Sequence, residues 1–413
     1  MTLRRSLLRL LALALPCIGL FAGAPAQAAG SYRTSGDCDG FPKVSLRTPD
    51  GLCVGLVAAG LRFARGVAVI GDDIYVADMG SWEKGRGRLL RIPDRGHGAP
   101  QVLLTKLDRP NGLVAAPDGT LLLGLAGRIV SVDPKADPPA GALRDVVTNL
   151  PNDGRHPLAA LALAPDGTLY VNVGTATDHC ERADDSAPDP AKPCPETEGT
   201  PPRGSVLRIM AGALPADARA LSPFARGLRN SMGLAVLANG TPLAAVNARD
   251  AIDQADPQLS DEALPHDFYT VLKDGADYGW PYCYDDRKPS PEYPHFDCGK
   301  VEVPALLLPA HAAPLGMLVY RGTALPGLDG RVLMTWHGYR DTGHRVMALA
   351  IDDRGAPQGQ PQPLVSGWDA AKGIRPQGAP LGLAEMADGS VLITEDHNGT
   401  LLRLARAQPT KTP

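Results

Sequence analysis

An all-β chain built from six copies of one antiparallel module is what this sequence predicts, and three observations carry that expectation. A single phrase recurs: a hydrophobic strand, a turn of the Pro/Asp/Asn-Gly kind, and a second strand. Helical periodicity is nearly absent, and the long polar inserts read as loops on the modules rather than linkers between domains. Repeated modules of three or four strands close into a β-propeller, and six copies make it a six-bladed β-propeller.

The phrase appears as "GVAVIGDDIYVAD", "GLVAAPDGTLLLGL", "LALAPDGTLYVNVG", "GLAVLANGTPLAAV" and "GLAEMADGSVLITED". Asp-Gly or Asn-Gly between two apolar runs is a hairpin signal, because glycine tolerates the positive φ that the turn demands. Several copies continue into a third strand, "GRLLRI", "GRIVSVDP", "GSVLRIM" and "GTLLRLA". The section "GMLVYRG…GRVLMTWHG…HRVMALAID" supplies the remaining unit, with a longer first turn. A β-sandwich is the competing all-β architecture, but it does not require the same phrase six times. Residues 30–413 are therefore expected to form a single propeller domain, with inserts such as "TDHCERADDSAPDPAKPCPETEGTPPRG" and "RDAIDQADPQLSDEALPHD" as blade loops.

Residues 1–29 read as a secretory signal peptide. Arg4 and Arg5 precede the apolar "LLRLLALALPCIGLFAGA", and "APAQAAG" offers the small residues that a signal peptidase requires. The expected location is periplasmic or secreted, and no other run is long and apolar enough for a membrane span. Removing Arg4, Arg5 and Arg9 with the leader takes the formal charge from −4 to −7, which leaves no basic face for nucleic acid. Six cysteines follow the leader in three close pairs. In an oxidising compartment that pattern suggests the disulfides Cys38–Cys53, Cys180–Cys194 and Cys283–Cys298 out of the roughly fifteen connectivities six cysteines allow, with zinc disfavoured because no CxxC knuckle occurs.

Three stretches carry chemistry. "GLRN" places Arg229 and Asn230 just before the strand "MGLAVLANG", at a channel rim; the planar guanidinium suits a carboxylate or a developing oxyanion, or else caps loop carbonyls. "DGADYGWPYC" sets Tyr278 and Trp280 around a glycine, as an exposed platform for a flat ligand or as aromatics covering a blade edge. "NDGRHPLAALALAPDG" puts His156 at the start of a strand, where an imidazole can act as a base or be structural.

Together these stretches resemble the soluble pyrroloquinoline quinone (PQQ)-dependent sugar dehydrogenases, the superfamily of glucose dehydrogenase and L-sorbosone dehydrogenase. The resemblance covers most of the mature chain and rests on "GLRN" before a strand, "NARD" after that hairpin, "DGADYGWPYC" downstream, and a His before the preceding "PDG" hairpin. "HAAPLG" and "WHGYRD" look closer to the sorbosone branch. The resemblance implies a dehydrogenase that oxidises an aldose or sugar aldehyde with PQQ and calcium and passes electrons to an unknown acceptor. His156 matches the base that takes the hydroxyl proton while hydride passes to the quinone C5, and Arg229 matches the arginine beside the C5 oxygen. Asn230 matches the neighbour that helps hold the cofactor. The implied cofactor contacts are Asn111, Arg229, Asn230, Tyr278, Trp280, His337, Arg340 and Arg375. Asn247, Ala248 and Arg249 fall where the family binds calcium through backbone carbonyls, and Asp250 adds a carboxylate to that loop.

The chain departs from the pattern in two places. "TWHGYRDTGHR" stands where a lysine meets the cofactor, so that His337 or Arg340 would substitute, and "GAPLG" replaces an expected arginine pair, with only Arg375 nearby. Two other readings share the architecture: a six-bladed calcium-dependent lactonase or esterase, and a non-catalytic binding propeller.

Overall fold

The computed structural model describes residues 32–368 and 378–408. Its strands fall into six principal sheets, spanning 64–107, 113–148, 161–226, 230–307, 314–365 and 380–406, here called blades 1 to 6. The innermost strands are Ala64–Ile70, Leu113–Ala115, Leu161–Leu163, Asn230–Val236, Pro314–Val319 and Pro380–Glu385. Each packs against the next, and the sixth packs against the first, which closes the ring. The six-bladed propeller is as the repeats predicted.

Hairpin chemistry explains the regularity. In "APDGT" the Ala116 N–H donates to Thr120 O and the Gly119 N–H to Ala116 O, while Asp118 Oδ1 accepts from the Thr120 N–H. The same bonds recur at Ala164–Thr168, Leu237–Thr241 and Met386–Ser390. The four turn glycines have φ between +78° and +89°, which a β-carbon would strain.

Apolar residues on the blade faces meet in six clusters, one at each blade-to-blade interface. Leu89 and Leu104 of blade 1 meet Leu121 and Leu123 of blade 2, for example, and Leu90 and Val76 of blade 1 meet Leu392 and Leu401 of blade 6. Blade 6 borrows a strand from the other end of the chain: Leu52–Ala58 pairs antiparallel with Thr400–Arg406, so the two ends fasten the ring. Tyr32 adds a further tie, accepting a 2.6 Å bond from Trp368 Nε1 and donating to Glu395.

The three disulfides form as the cysteine spacing suggested, with Cα separations of 5.8, 6.1 and 6.0 Å. Cys180–Cys194 tethers the long insert of blade 3, and Cys283–Cys298 tethers the loop that follows "YGWP". Among the described residues no helix is long and apolar enough to cross a membrane. The signal-peptide expectation and Arg375 lie outside the described residues.

Candidate functional site

Within a blade, the first strand begins and the second strand ends at the same rim, because the two are antiparallel. That topology brings Arg65, Asn111, His156, Arg229, Asn247, His337 and Asp396 to one end of the channel, although 331 residues separate Arg65 from Asp396. Two adjoining cavities of about 250 and 390 Å³ open there, and both are lined by His156, Asn230, His337 and Tyr339.

His156 is held in one tautomer. Its Nδ1 lies 3.1 Å from Thr175 O and 3.0 Å from Thr175 Oγ1, and that hydroxyl spends its own hydrogen on Thr177 O. Both neighbours can only accept, so Nδ1 carries the proton and Nε2 keeps its lone pair. Burial, reinforced by the charge of Arg229, pushes the imidazole down to about 3, which keeps it neutral at ordinary pH.

Arg229 reaches the rim through a backbone that only glycine allows. Gly227 sits at φ +70°, and a β-carbon there would collide with Asp277 and with the main chain of Tyr278 and Gly279. Leu228, fully buried, anchors the next step, and the Arg229 guanidinium is then gripped on three sides. Nη2 pairs with Asp178 Oδ1, Nε donates to Asp178 O at 3.3 Å, and Nη1 donates to Asn247 O at 3.3 Å. Burial alone would raise Asp178, yet the Arg229 charge holds its carboxyl well below the usual range. Asp178 itself is fixed by the 2.9 Å bond from Trp280 Nε1 to its carbonyl and by the Asp250 N–H on its carboxylate.

The loop after Asn247 is rich in oxygen. Asn230 Oδ1 and Asn247 Oδ1 are buried without a hydrogen-bond partner, and the carboxylates of Asp250 and Asp267 line the same cavity. Asp267 accepts from the Ala248 and Ala313 N–H groups, each at 2.7 Å, and burial pushes it up to about 6 despite them. This donor set fits a hard cation such as calcium, which takes carboxylate, amide and carbonyl oxygens. Arg249 contributes no side chain, since its guanidinium is buried against Glu292 at 2.6 Å. His311 bridges Asp250 Oδ1 at 3.1 Å and Asp261 O at 2.6 Å; both are acceptors, and the Asp250 bond raises its pKa.

The opposite wall holds Arg65, His337, Tyr339, Asp396 and His397. Arg65 Nη1 lies 2.8 Å from Asp396 Oδ2, and His337 Nε2 lies 3.0 Å from the same oxygen. Burial would raise Asp396, but its contacts with His337 and Arg65 bring it down to about 2. Arg340 also lines the larger cavity, with its guanidinium 2.6 Å from Asp261 Oδ2 and 2.9 Å from Glu262 Oε1.

Three of the residues expected to contact a cofactor lie away from the two cavities. Tyr278 and Trp280 form no exposed platform: they are 5% and 8% exposed, and they line a small space of about 30 Å³ together with Arg229. Tyr278 packs in the core between blades 3 and 4 and donates to Val271 O at 2.8 Å, while Trp280 packs on Cys180 and Cys194. A Gly-Trp-Pro turn cannot by itself reveal which side of a loop its ring will cover. Asn111 likewise lines neither of the two large cavities; it accepts from Arg65 Nε and donates to Ala159 O, both at 2.9 Å, and so braces Arg65. Phe63, Trp82 and Tyr339 bring aromatic rings to the cavity, Trp82 and Tyr339 the most exposed at 53% and 61%. The sequence reading missed Arg65, Trp82, Arg155, Asp178, Asp267, His311, Tyr339, Asp396 and His397 as site residues. The one available signal was positional, since Arg65 stands at the start of the first strand of blade 1 and Asp396 directly after the second strand of blade 6, the same blade positions as the other rim residues.

A quinone carrying carboxylates requires cations and a planar surface. Arg65, Arg155, Arg229, Arg340 and His311 line the two cavities with the aromatic faces of Trp82 and Tyr339, so the wall fits such a group.

No protein-family model matches the chain, and no curated protein does. Solved structures do match. A Trichoderma reesei protein of carbohydrate-active enzyme family AA12 aligns with TM-score 0.70 at 19% identity, covering 91% of this chain and 100% of its own. The PQQ domain of pyranose dehydrogenase from Coprinopsis cinerea aligns at 0.68 and 18%, covering 89% and 99%. The PQQ-bound aldose sugar dehydrogenase from Streptomyces coelicolor aligns at 0.59 and 17%, covering 87% and 99%. The chain therefore shares the fold of these structures.

Proposed function

We propose that this protein is an exported, PQQ- and calcium-dependent oxidoreductase that acts on an aldose or sugar aldehyde. The observation that carries the proposal is the pairing of His156 and Arg229 in one cavity: a neutral imidazole with its Nε2 lone pair free, and a preorganised buried guanidinium. When bound, the quinone would supply a two-electron acceptor for the substrate C–H bond. The chain's own contribution is to place His156 Nε2 to take the hydroxyl proton. Arg229, fixed by Asp178, offers positive charge where negative charge grows, and because it is already oriented it requires no reorganisation during the reaction. Asn247, Ala248, Asp250, Asn230 and Asp267 would hold the cation. The three disulfides support an oxidising compartment.

Reconstitution tests the proposal. Purified protein with PQQ and calcium is expected to develop the absorbance of a bound quinone and to reduce a dye when an aldose is added. No bound-quinone absorbance at saturating PQQ and calcium would refute it.

One observation favours a second reading. Asn230, Asn247, Asp250 and Asp267 gather side-chain oxygens around one cavity, as a calcium-dependent lactonase or esterase requires. That enzyme would hydrolyse a lactone or ester with calcium alone and would be indifferent to PQQ.

A further inference from the structure

His337, Asp396 and His397 each bring one ligand atom to a common point, with these atoms all within 4.8 Å of one another. They come from the ends of the second strands of blades 5 and 6 and line the cavity of about 250 Å³. Asp396 Oδ1 lies 3.1 Å from His337 Nε2 and 3.8 Å from His397 Nε2. Metal bonds of about 2.0–2.2 Å at tetrahedral angles place neighbouring ligand atoms roughly 3.4 Å apart, between those two separations. The surroundings are those of a held ligand set. Arg65 orients the carboxylate through its other oxygen at 2.8 Å. That outer contact on Asp396 fixes the direction of the carboxylate, as second-layer partners do for metal ligands. The Tyr339 hydroxyl lies 2.8 Å from His397 Nε2, the ligating nitrogen itself, and has to turn away when a metal takes that position.

We propose that His337, Asp396 and His397 form a binding site for a divalent transition-metal ion such as Zn²⁺ or Co²⁺, with its remaining coordination position open to the cavity. Two imidazoles and one carboxylate select these ions over calcium, which prefers oxygen donors throughout. The site is separate from the oxygen-rich loop at Asn247 to Asp250 and does not depend on the quinone reading. Three protein ligands facing a cavity leave room for an oxygen ligand from a small molecule, a hydroxyl or a carboxylate.

The test uses the tag-free mature chain, stripped by a chelator, with no quinone added. Titration with Co²⁺ is expected to give one equivalent of visible d–d absorption, which Zn²⁺ displaces and excess Ca²⁺ does not. His397→Ala and His337→Gln should each weaken Co²⁺ binding by roughly tenfold or more, whereas Tyr339→Phe, which frees His397 Nε2, should not weaken it. His397 is partly exposed, so its alanine variant is expected to keep the wild-type circular dichroism spectrum and melting curve, and both are recorded alongside. Absence of saturable Co²⁺ or Zn²⁺ binding tighter than about 100 μM would overturn the proposal. So would binding that both histidine variants leave unchanged.

Discussion

The two walls of the channel mouth face the same space with different chemistry and from different distances along the chain. The wall of blades 3 and 4 draws His156, Asp178, Arg229, Asn247 and Asp267 from one continuous stretch, and the Cys180–Cys194 bridge tethers the loop that carries Asp178. The wall of blades 5, 6 and 1 draws Arg65, His337, Tyr339, Asp396 and His397 from opposite ends of the sequence, and only closure of the ring assembles it. In the first wall a guanidinium has several oxygen partners. In the second, a buried guanidinium and imidazoles share the single carboxylate of Asp396. The comparison teaches that charge is distributed redundantly in the first wall and concentrated on one residue in the second.

The largest expected effect tests whether the first wall does the chemistry. His156→Gln should lower turnover in the reconstituted enzyme by about 10² to 10⁴ with quinone binding retained. Stopped-flow reduction would measure it, and a near-normal rate would remove His156 from the reaction. Arg229→Lys keeps the charge but loses the planar fork, so a loss of about 10² to 10³ is expected, read as kcat at saturating sugar.

Stability separates the walls next. Asp396→Ala leaves the buried Arg65 without its carboxylate, and a loss of about 3–5 kcal/mol is expected in urea unfolding. Asp178→Ala removes one partner of Arg229, but the Asp178 and Asn247 carbonyls remain and Asp250 lies 3.7 Å away. The expected loss there is smaller, about 1–3 kcal/mol. Equal losses would break the contrast between redundant and concentrated charge.

The pH dependence of stability should have opposite signs on the two sides. His156 titrates near 3 in the folded chain and near 6.5 when unfolded, so between those values the unfolded chain binds more protons. Its contribution is fully present above about 6.5 and is lost as pH falls toward 3. Glu395, beside Asp396, is pushed up to about 7 by burial. Its contribution is present below the unfolded value of about 4.5 and is lost as pH rises through 7. Urea midpoints measured from pH 4 to 8 should lose the acid slope in His156→Gln and the near-neutral slope in Glu395→Gln. The smallest effect is expected at Tyr278, where Phe forfeits one hydrogen bond to Val271 O, about 1 kcal/mol, with quinone binding unchanged. A large binding defect would restore Tyr278 to the cofactor site.

By itself the sequence determined the blades, because turn chemistry and strand alternation are local, and a glycine with φ near +80° writes itself into the chain. It also determined the disulfide pairs, each separated by 14 or 15 residues, and the rim placement of His156 and Arg229, which follows from where a first strand begins. Only the tertiary structure decided which way the loop side chains face. Tyr278 and Trp280 turned inward because the blade interface and the Cys180–Cys194 bridge offered them apolar surface, while Trp82 and Tyr339 were left at the cavity. It alone also brought Arg65 of blade 1 to Asp396 of blade 6 across the closure of the ring, and His337 of blade 5 to His397 of blade 6 across a blade interface. The physical reason is that periodicity records which residues are buried against their own blade, whereas a site between blades depends on ring closure, which no short stretch of sequence encodes.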